Sequence, residues 1–322
     1  MTKKYFFVLG NTADLAREEV RAVVPHQELF YDPPVLILET EKDIPFDRFG
    51  GVIKVGEVID QKIVDYLKSL KINKIDFGIS NYSKNFDDAK KIKRELVDAG
   101  IKARFVLPPR GETILSSVVV RKQLLTEFLI YQNIIAKTIW SQDFEDWGKR
   151  DYARPEVQAK IGMLPPKVAR QMVNISRAEN ILDPFCGVGT ILMEALTINI
   201  KAIGSDIDPK QIERTRKNLE FFEKKAPLFV ADARRIFEKI NNIDAIVTET
   251  DLGPKIGLDQ LYLDCFTNWK GKVKTIVIAL PSLNVIDKVK AIGYILAAGS
   301  FLYARPQALV KRHICVFKYG SY

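Results

Sequence analysis

The chain has 322 residues, 47% of them hydrophobic and 28% charged, and carries a formal net charge of +9. That length accommodates two domains, and ordinary Gly and Pro usage excludes collagen-like, low-complexity and wholly disordered chains. Three scattered cysteines (Cys186, Cys265, Cys315) exclude a disulfide scaffold and CxxC motifs, and with only His26 and His313 no metal site is expected. The longest uncharged apolar stretch, 291–304, falls short of the roughly 20 residues that span a bilayer. The N-terminal MTKKYFFVLGNTADLA has a short apolar run and no small-residue cleavage site, so a cytoplasmic protein off the membrane is expected. Charge is uneven, −3 over 1–50, +5 over 51–150 and +7 over 151–322, which favours a polyanionic partner.

In chain order, YFFVLG (5–10) reads as a strand, 14–24 as an amphipathic helix, and PVLILET (34–40) and VIKVGEVI (52–59) as strands. Residues 63–70 read as a helix, 75–80 as a strand, and 88–100 as a helix closed by a Gly C-cap. KARFVLP (102–108), SSVVVRKQL (116–124) and EFLIYQNII (127–135) are rich in β-formers and predict strands. Residues 1–140 thus fit mixed small α+β units. The stretch 141–164 is polar, aromatic-studded and broken by prolines, and predicts a linker or functional loop. From 165 to 322 a helix opened by Pro165 and Pro166 leads into regular strand–helix alternation, which predicts a doubly wound parallel sheet.

The chemistry centres on ILDPFCGVGTILMEAL (181–196). A strand ends at Asp183-Pro184, Gly187 and Gly189 let the backbone approach a ligand, and a helix opens at Thr190 with free N–H groups. The next strand ends at Asp206, placed to bind ribose hydroxyls, with Asp208 as a rival or a helix N-cap. A third ends at Asp232, able to accept from an adenine amino group. A dinucleotide site would carry a third glycine where Leu192 stands, and Asp183 would repel phosphates. An acidic strand end instead suits a phosphate-free cation such as S-adenosylmethionine. Cys186, with no His near in sequence, reads as a packing residue. Basic Lys102, Arg104, Arg110, Arg121 and Lys122 are candidate RNA contacts, and Arg150 and Arg154 beside Trp147 and Tyr152 are either RNA contacts or part of a linker packed on the following domain. Lys311, Arg312 and His313 flank a final strand with no expected catalytic duty.

DPFCGVGT, GSDIDP and ADAR resemble motifs I, II and III of class I S-adenosylmethionine-dependent methyltransferases. With RDYARPEVQAKIGMLPPKVARQMVNIS, the whole chain resembles the THUMP-domain tRNA guanine-N2 methyltransferases that modify guanosine 10. The resemblance implies a ferredoxin-like plus THUMP region that grips tRNA, and a Rossmann-like catalytic domain that uses S-adenosylmethionine. Relatives carry an Asp/Asn-Pro-Pro-Tyr tetrad after the fourth strand, whose acid or amide and a backbone carbonyl orient the amine while the aromatic stacks on the base. The matching stretch here is Thr248-Glu249-Thr250-Asp251-Leu252-Gly253, without either proline or the aromatic. Glu249 takes the acidic position, the Thr250 carbonyl is a second acceptor, and Asp251 is either a further acceptor or solvated. The expected activity is methylation of a guanosine N2 in tRNA. The alternatives are a tRNA-binding protein that has lost catalysis through the altered tetrad, and a DNA amino-methyltransferase.

Overall fold

The computed structural model describes residues 2–83, 89–157, 163–250, 257–304 and 311–320. The first half runs β1 (Lys3–Leu9), α1 (Ala13–Val23), β2 (Gln27–Asp32), β3 (Val35–Thr40), β4 (Val52–Val58), α2 (Ile63–Ser69) and β5 (Lys74–Asn81). It continues with α3 (Ala89–Asp98), β6 (Lys102–Val106), α4 (Ser117–Lys122), β7 (Thr126–Tyr131), β8 (Ile134–Ser141) and α5 (Phe144–Tyr152). Then follow α6 (Pro166–Ser176), β9 (Asn180–Asp183), α7 (Thr190–Thr197), β10 (Lys201–Asp206), α8 (Pro209–Phe221) and β11 (Leu228–Val230). The last elements are β12 (Ala245–Glu249), α9 (Leu258–Trp269), β13 (Thr275–Leu280), α10 (Ile286–Ala291), β14 (Tyr294–Ala304) and β15 (Lys311–Tyr319). The chain divides into two units, the first holding 1–13, 24–47 and 52–146, the second 14–23, 48–51 and 147–322.

The first unit is built on an eight-stranded sheet in the order β2-β3-β1-β4-β8-β7-β5-β6. Its pairs are antiparallel except for β5, which runs parallel to both β6 and β7. Departures from the sequence expectation arise here, among them β2, where the sequence predicts no element, and the split of 127–135 between β7 and β8. Residues 116–124 form a helix and not a strand: Ser116 Oγ accepts the Val119 N–H at 3.3 Å, and Val120 is buried with Leu115 and Leu125. A local cap and one packed face outweigh the β-preference of three valines. The stretch after Ser141 holds α5 and is not a plain loop, because Asp143 Oδ1 accepts the N–H groups of Glu145 and Asp146 at 3.0 and 3.2 Å.

The second unit carries a seven-stranded sheet in the order β11-β10-β9-β12-β13-β15-β14. The first five strands are parallel, and β15 runs antiparallel between β13 and β14. Strand residues alternate between two cores: Ile181, Val247 and Val277 face Val168, Met172 and Leu192, while Leu182, Ile246 and Ile276 face Phe266 and Trp269. Helices therefore cover both faces, as a parallel sheet requires. β14 coincides with the uncharged stretch near 291–304 and is a sheet edge, and beyond the buried Tyr294 its residues are exposed or half-buried. The early segment 48–51 is tied into this unit by the fully buried Glu19 of α1. Glu19 accepts the Gly50 and Gly51 N–H groups at 2.8 Å and Asn174 Nδ2 at 2.7 Å. Among the described residues no helix is long and apolar enough to cross a membrane.

Candidate cofactor and substrate site

The strand order reverses between β9 and β12, whose connections leave in opposite directions. In open α/β sheets, ligands bind outside the carboxyl ends of the strands at such a switch point. Asp183 and Glu249 are the last residues of those two strands, and Asp206 ends β10 beside them.

Asp183 is 2% exposed. Its Oδ1 accepts from Thr248 Oγ1 at 2.6 Å and from the Phe185 N–H at 3.2 Å. Burial pushes its carboxyl up to about 7, against the lowering by those two donors. Asp206 spans the loop: Oδ2 accepts the Gly187 N–H at 3.1 Å and Oδ1 the Asp208 N–H at 3.0 Å. Its carboxyl is also raised, chiefly by burial. Among the described residues, the hydrogen-bond partners of both acids are neutral N–H and O–H groups. A ligand with a positive charge and a diol fits this pair of carboxylates; a diphosphate does not.

The glycine loop is held from behind. Gly187 and Gly189 have φ of +52° and +83°, and Gly189 is the N-cap of α7. Thr215 Oγ1 donates to the Gly187 carbonyl at 2.7 Å and Asn218 Nδ2 to the Val188 carbonyl at 2.9 Å. Both project from one face of α8, three residues apart. Pro184 and Thr190 are buried, and Cys186 is a buried packing residue whose thiol is pushed up by burial. A Cβ at Gly189 would lie 2.8 Å from Thr215 Cγ2, on a backbone that L side chains rarely adopt. Gly189→Ala is therefore expected to cost about 1–3 kcal/mol in urea unfolding. Gly148→Ala, in α5 with nothing within 4 Å of the added carbon, is expected to stabilise by about 0.5–1 kcal/mol.

The remaining candidates divide. Asp232 caps the 3-10 turn Ala233–Glu238 through the Arg234 N–H at 2.9 Å, and its carboxylate is ion-paired with the Arg234 side chain at 2.5 Å. That guanidinium, foremost by its hydrogen bond, holds the carboxyl low, so an adenine contact there competes with an existing pair. Thr250 is buried, its hydroxyl accepting from Tyr262 Oη at 2.8 Å and donating to the Ala279 carbonyl at 3.3 Å. Asp251 lies outside the described residues. Glu249 forms an ion pair with Arg312 of β15, a partner that no sequence pattern signals.

Among the basic residues, Lys102, Arg104, Arg110, Arg121 and Lys122 are exposed in the first unit. Lys102 and Arg104 lie on β6, the sheet's edge strand, and Arg121 and Lys122 on α4; Arg104 Nη2 reaches Gln123 Oε1 at 3.4 Å, which joins the two groups. Arg104 pairs with Asp76 at 2.8 Å and Arg121 with Asp143 at 3.0 Å, exposed pairs worth little that a phosphate can displace. Arg150 and Arg154 follow the packed-linker alternative and not the RNA-contact one. Arg150 is 5% exposed and pairs with Glu194 at 2.8 Å; Arg154 is 3% exposed and donates to Thr190 Oγ1 at 2.7 Å. Their guanidinium groups serve the interior of the second unit, with Arg150 also stacked 4.2 Å over Trp147.

Strand order, switch point and glycine loop together define a Rossmann-like methyltransferase fold. A protein-family model described as an RMKL-like methyltransferase domain matches residues 154–289, and one described as a DNA methylase matches 76–217. A probable tRNA (guanine(10)-N2)-dimethyltransferase of Methanothermococcus thermolithotrophicus is 30% identical over 145 residues, 42% of this chain and 80% of that protein. The tRNA (guanine(10)-N2)-dimethyltransferase of Methanocaldococcus jannaschii is 27% identical over 81% of this chain and 74% of its own. The chain belongs to the tRNA (guanine(10)-N2)-dimethyltransferase family. It spans only 28% and 52% of two further relatives of that name, from Methanothermobacter thermautotrophicus and Pyrococcus abyssi. In fold it is similar to the crystal structure of TrmN from Thermus thermophilus, with a TM-score of 0.56 over 99% of this chain and all of that one, at 14% identity.

Proposed function

We propose that the protein is an S-adenosylmethionine-dependent methyltransferase that acts on the exocyclic N2 of a guanosine in tRNA, in the cytoplasm. The observation that carries this reading is the buried Asp183 and the half-buried Asp206 around a positive-φ glycine loop, with Glu249 one strand across the switch point. When bound, S-adenosylmethionine supplies an electrophilic methyl group on a sulfonium. Asp206 suits the ribose hydroxyls, Asp183 suits the ligand's positive charge, and Gly187 and Gly189 let the backbone come close.

Glu249 suits the amine. The N2 lone pair of guanine is delocalised into the ring, so transfer needs the amine held by acceptors that aim it; such positioning removes several kcal/mol from a barrier. The Glu249 carboxylate and the Thr250 carbonyl are the acceptors at that strand end, and Asp251 follows in sequence. The first unit is read as a ferredoxin-like plus THUMP-like region, and its exposed cations on β6 and α4, with Arg110, as the surface that meets tRNA phosphates. Such contacts make affinity fall with salt.

The missing Pro-Pro-aromatic sequence after Glu249 favours a second reading, tRNA binding without catalysis. Purified protein, labelled S-adenosylmethionine and unmodified tRNA transcripts, followed by nucleoside mass spectrometry, separates the two. An N2-methylated guanosine is the expected product. Binding of cofactor and tRNA with no transfer establishes the second reading, and transfer to duplex DNA in competition with tRNA would sink both.

A further inference from the structure

We propose that Arg312 is a positioning residue that fixes Glu249 as the acceptor for the reacting amine. The inference rests on the methyl-transfer reading above. β12 ends at Glu249, where the chain steps out of the sheet with no proline to stiffen it. Side chains of other elements hold that step. Tyr262 of α9 holds the Thr250 hydroxyl at 2.8 Å. Arg312 donates from Nε to Glu249 Oε1, reaching from β15 across the level where Leu280 of β13 pairs with His313.

The exposures of the two partners are unequal, and that asymmetry carries the argument. The Arg312 side chain is 2% exposed, whereas Glu249 keeps 19%. A guanidinium buried this far loses its hydration, a cost that pairing offsets. An apolar residue would fill the same space at the sheet's end without that cost. What an arginine adds is a planar donor that fixes the orientation of a carboxylate. A carboxylate has acceptor sites for more than one donor, and Glu249 keeps an accessible side. The pair thus presents an oriented acceptor at the carboxyl end of β12, beside Asp183 at the end of β9. A carboxylate without the arginine would rotate and lose the aim that the amine requires.

The test measures single-turnover methyl transfer to tRNA, cofactor affinity and melting temperature for Arg312→Met, Arg312→Lys, Glu249→Gln and the double variants. Arg312→Met is expected to slow transfer by about 30–100-fold with cofactor affinity changed less than about twofold, and Arg312→Lys to recover part of that loss. In the Glu249→Gln background the Arg312 substitution is expected to add no further loss, since its effect passes through Glu249. Losses that multiply in the double variant, or an unchanged rate in Arg312→Met, overturn the proposal. Should Arg312→Met fail to fold, Arg312→Lys decides by the same comparison: a loss confined to the Glu249 background supports it, and an equal loss in both overturns it. An unaltered chain that binds cofactor and tRNA yet transfers no methyl overturns the methyl-transfer reading itself, and this inference with it. That result differs from an active chain indifferent to Arg312.

Discussion

At pH 8 the Asp183→Asn variant is expected to unfold at a higher temperature than the unaltered chain, while losing most of its affinity for S-adenosylmethionine. Folding buries Asp183 and raises its carboxyl to about 7 from an ordinary value near 3.8. Between those values the folded protein binds a proton that the unfolded chain has released, so this residue makes stability fall as pH rises from about 4 to about 7. The penalty is fully present above about 7 and absent below about 4, and is on the order of 4 kcal/mol for a shift of this size. Asparagine keeps an oxygen to accept from Thr248 and removes the ionisation. The stability gain should therefore vanish when melting is repeated at pH 4 to 4.5.

The same substitution tests the ligand's charge. A cationic ligand favours the ionised carboxylate, so its affinity for the unaltered chain should gain about tenfold between pH 6 and pH 8 over that for Asp183→Asn. Comparing the two proteins by calorimetry cancels the ligand's own titration. Equal stability at pH 8, or parallel pH profiles of affinity, would remove Asp183 from the site. Glu19, also raised to about 7 by burial, contributes to the pH dependence of both proteins equally and drops out of the comparison.

Much of this site was legible in the order of residues. An apolar strand, Asp183, two glycines and a helix start form a local pattern, and Asp206 follows at the next strand end because alternating strands and helices repeat at a regular spacing. What escaped was tertiary. Thr248, Thr215 and Asn218 read as ordinary polar residues until the sheet and α8 bring them to Asp183 and the loop carbonyls. Arg150 and Arg154 read equally as RNA contacts or as a packed linker, because aromatics mixed with cations suit both. Glu194 and Thr190, which bind them, lie 44 and 36 residues away. The three valines of 118–120 misled in the opposite sense, since strand preference describes a half-buried pleated surface and not a single capped turn. Assignment of 14–23 and 48–51 to the second unit depends on Glu19 binding two backbone N–H groups, and no sequence pattern signals a carboxylate used in that way.

Glu249→Gln is expected to lower the rate of methyl transfer by about 100-fold or more while leaving cofactor affinity nearly unchanged. Glutamine is close to isosteric and can still accept from Arg312, so the fold and the cofactor loop on the other side of the switch point are preserved. It loses the full negative charge, and its amide nitrogen donates where the amine needs an acceptor. An interaction realised mainly as the amine is brought into line changes kcat and not ground-state binding of the cofactor. Stability should drop by only about 1–2 kcal/mol, because Glu249 is partly exposed and its partner keeps a hydrogen bond. Rapid-quench measurement of transfer to saturating tRNA, alongside cofactor titration, checks both halves. A variant that loses cofactor affinity and rate together would place Glu249 in the loop's structure. One that transfers at the unaltered rate would move the acceptor role to the Thr250 carbonyl and Asp251, and would leave the Arg312 pair as a fastening between strands β12 and β15.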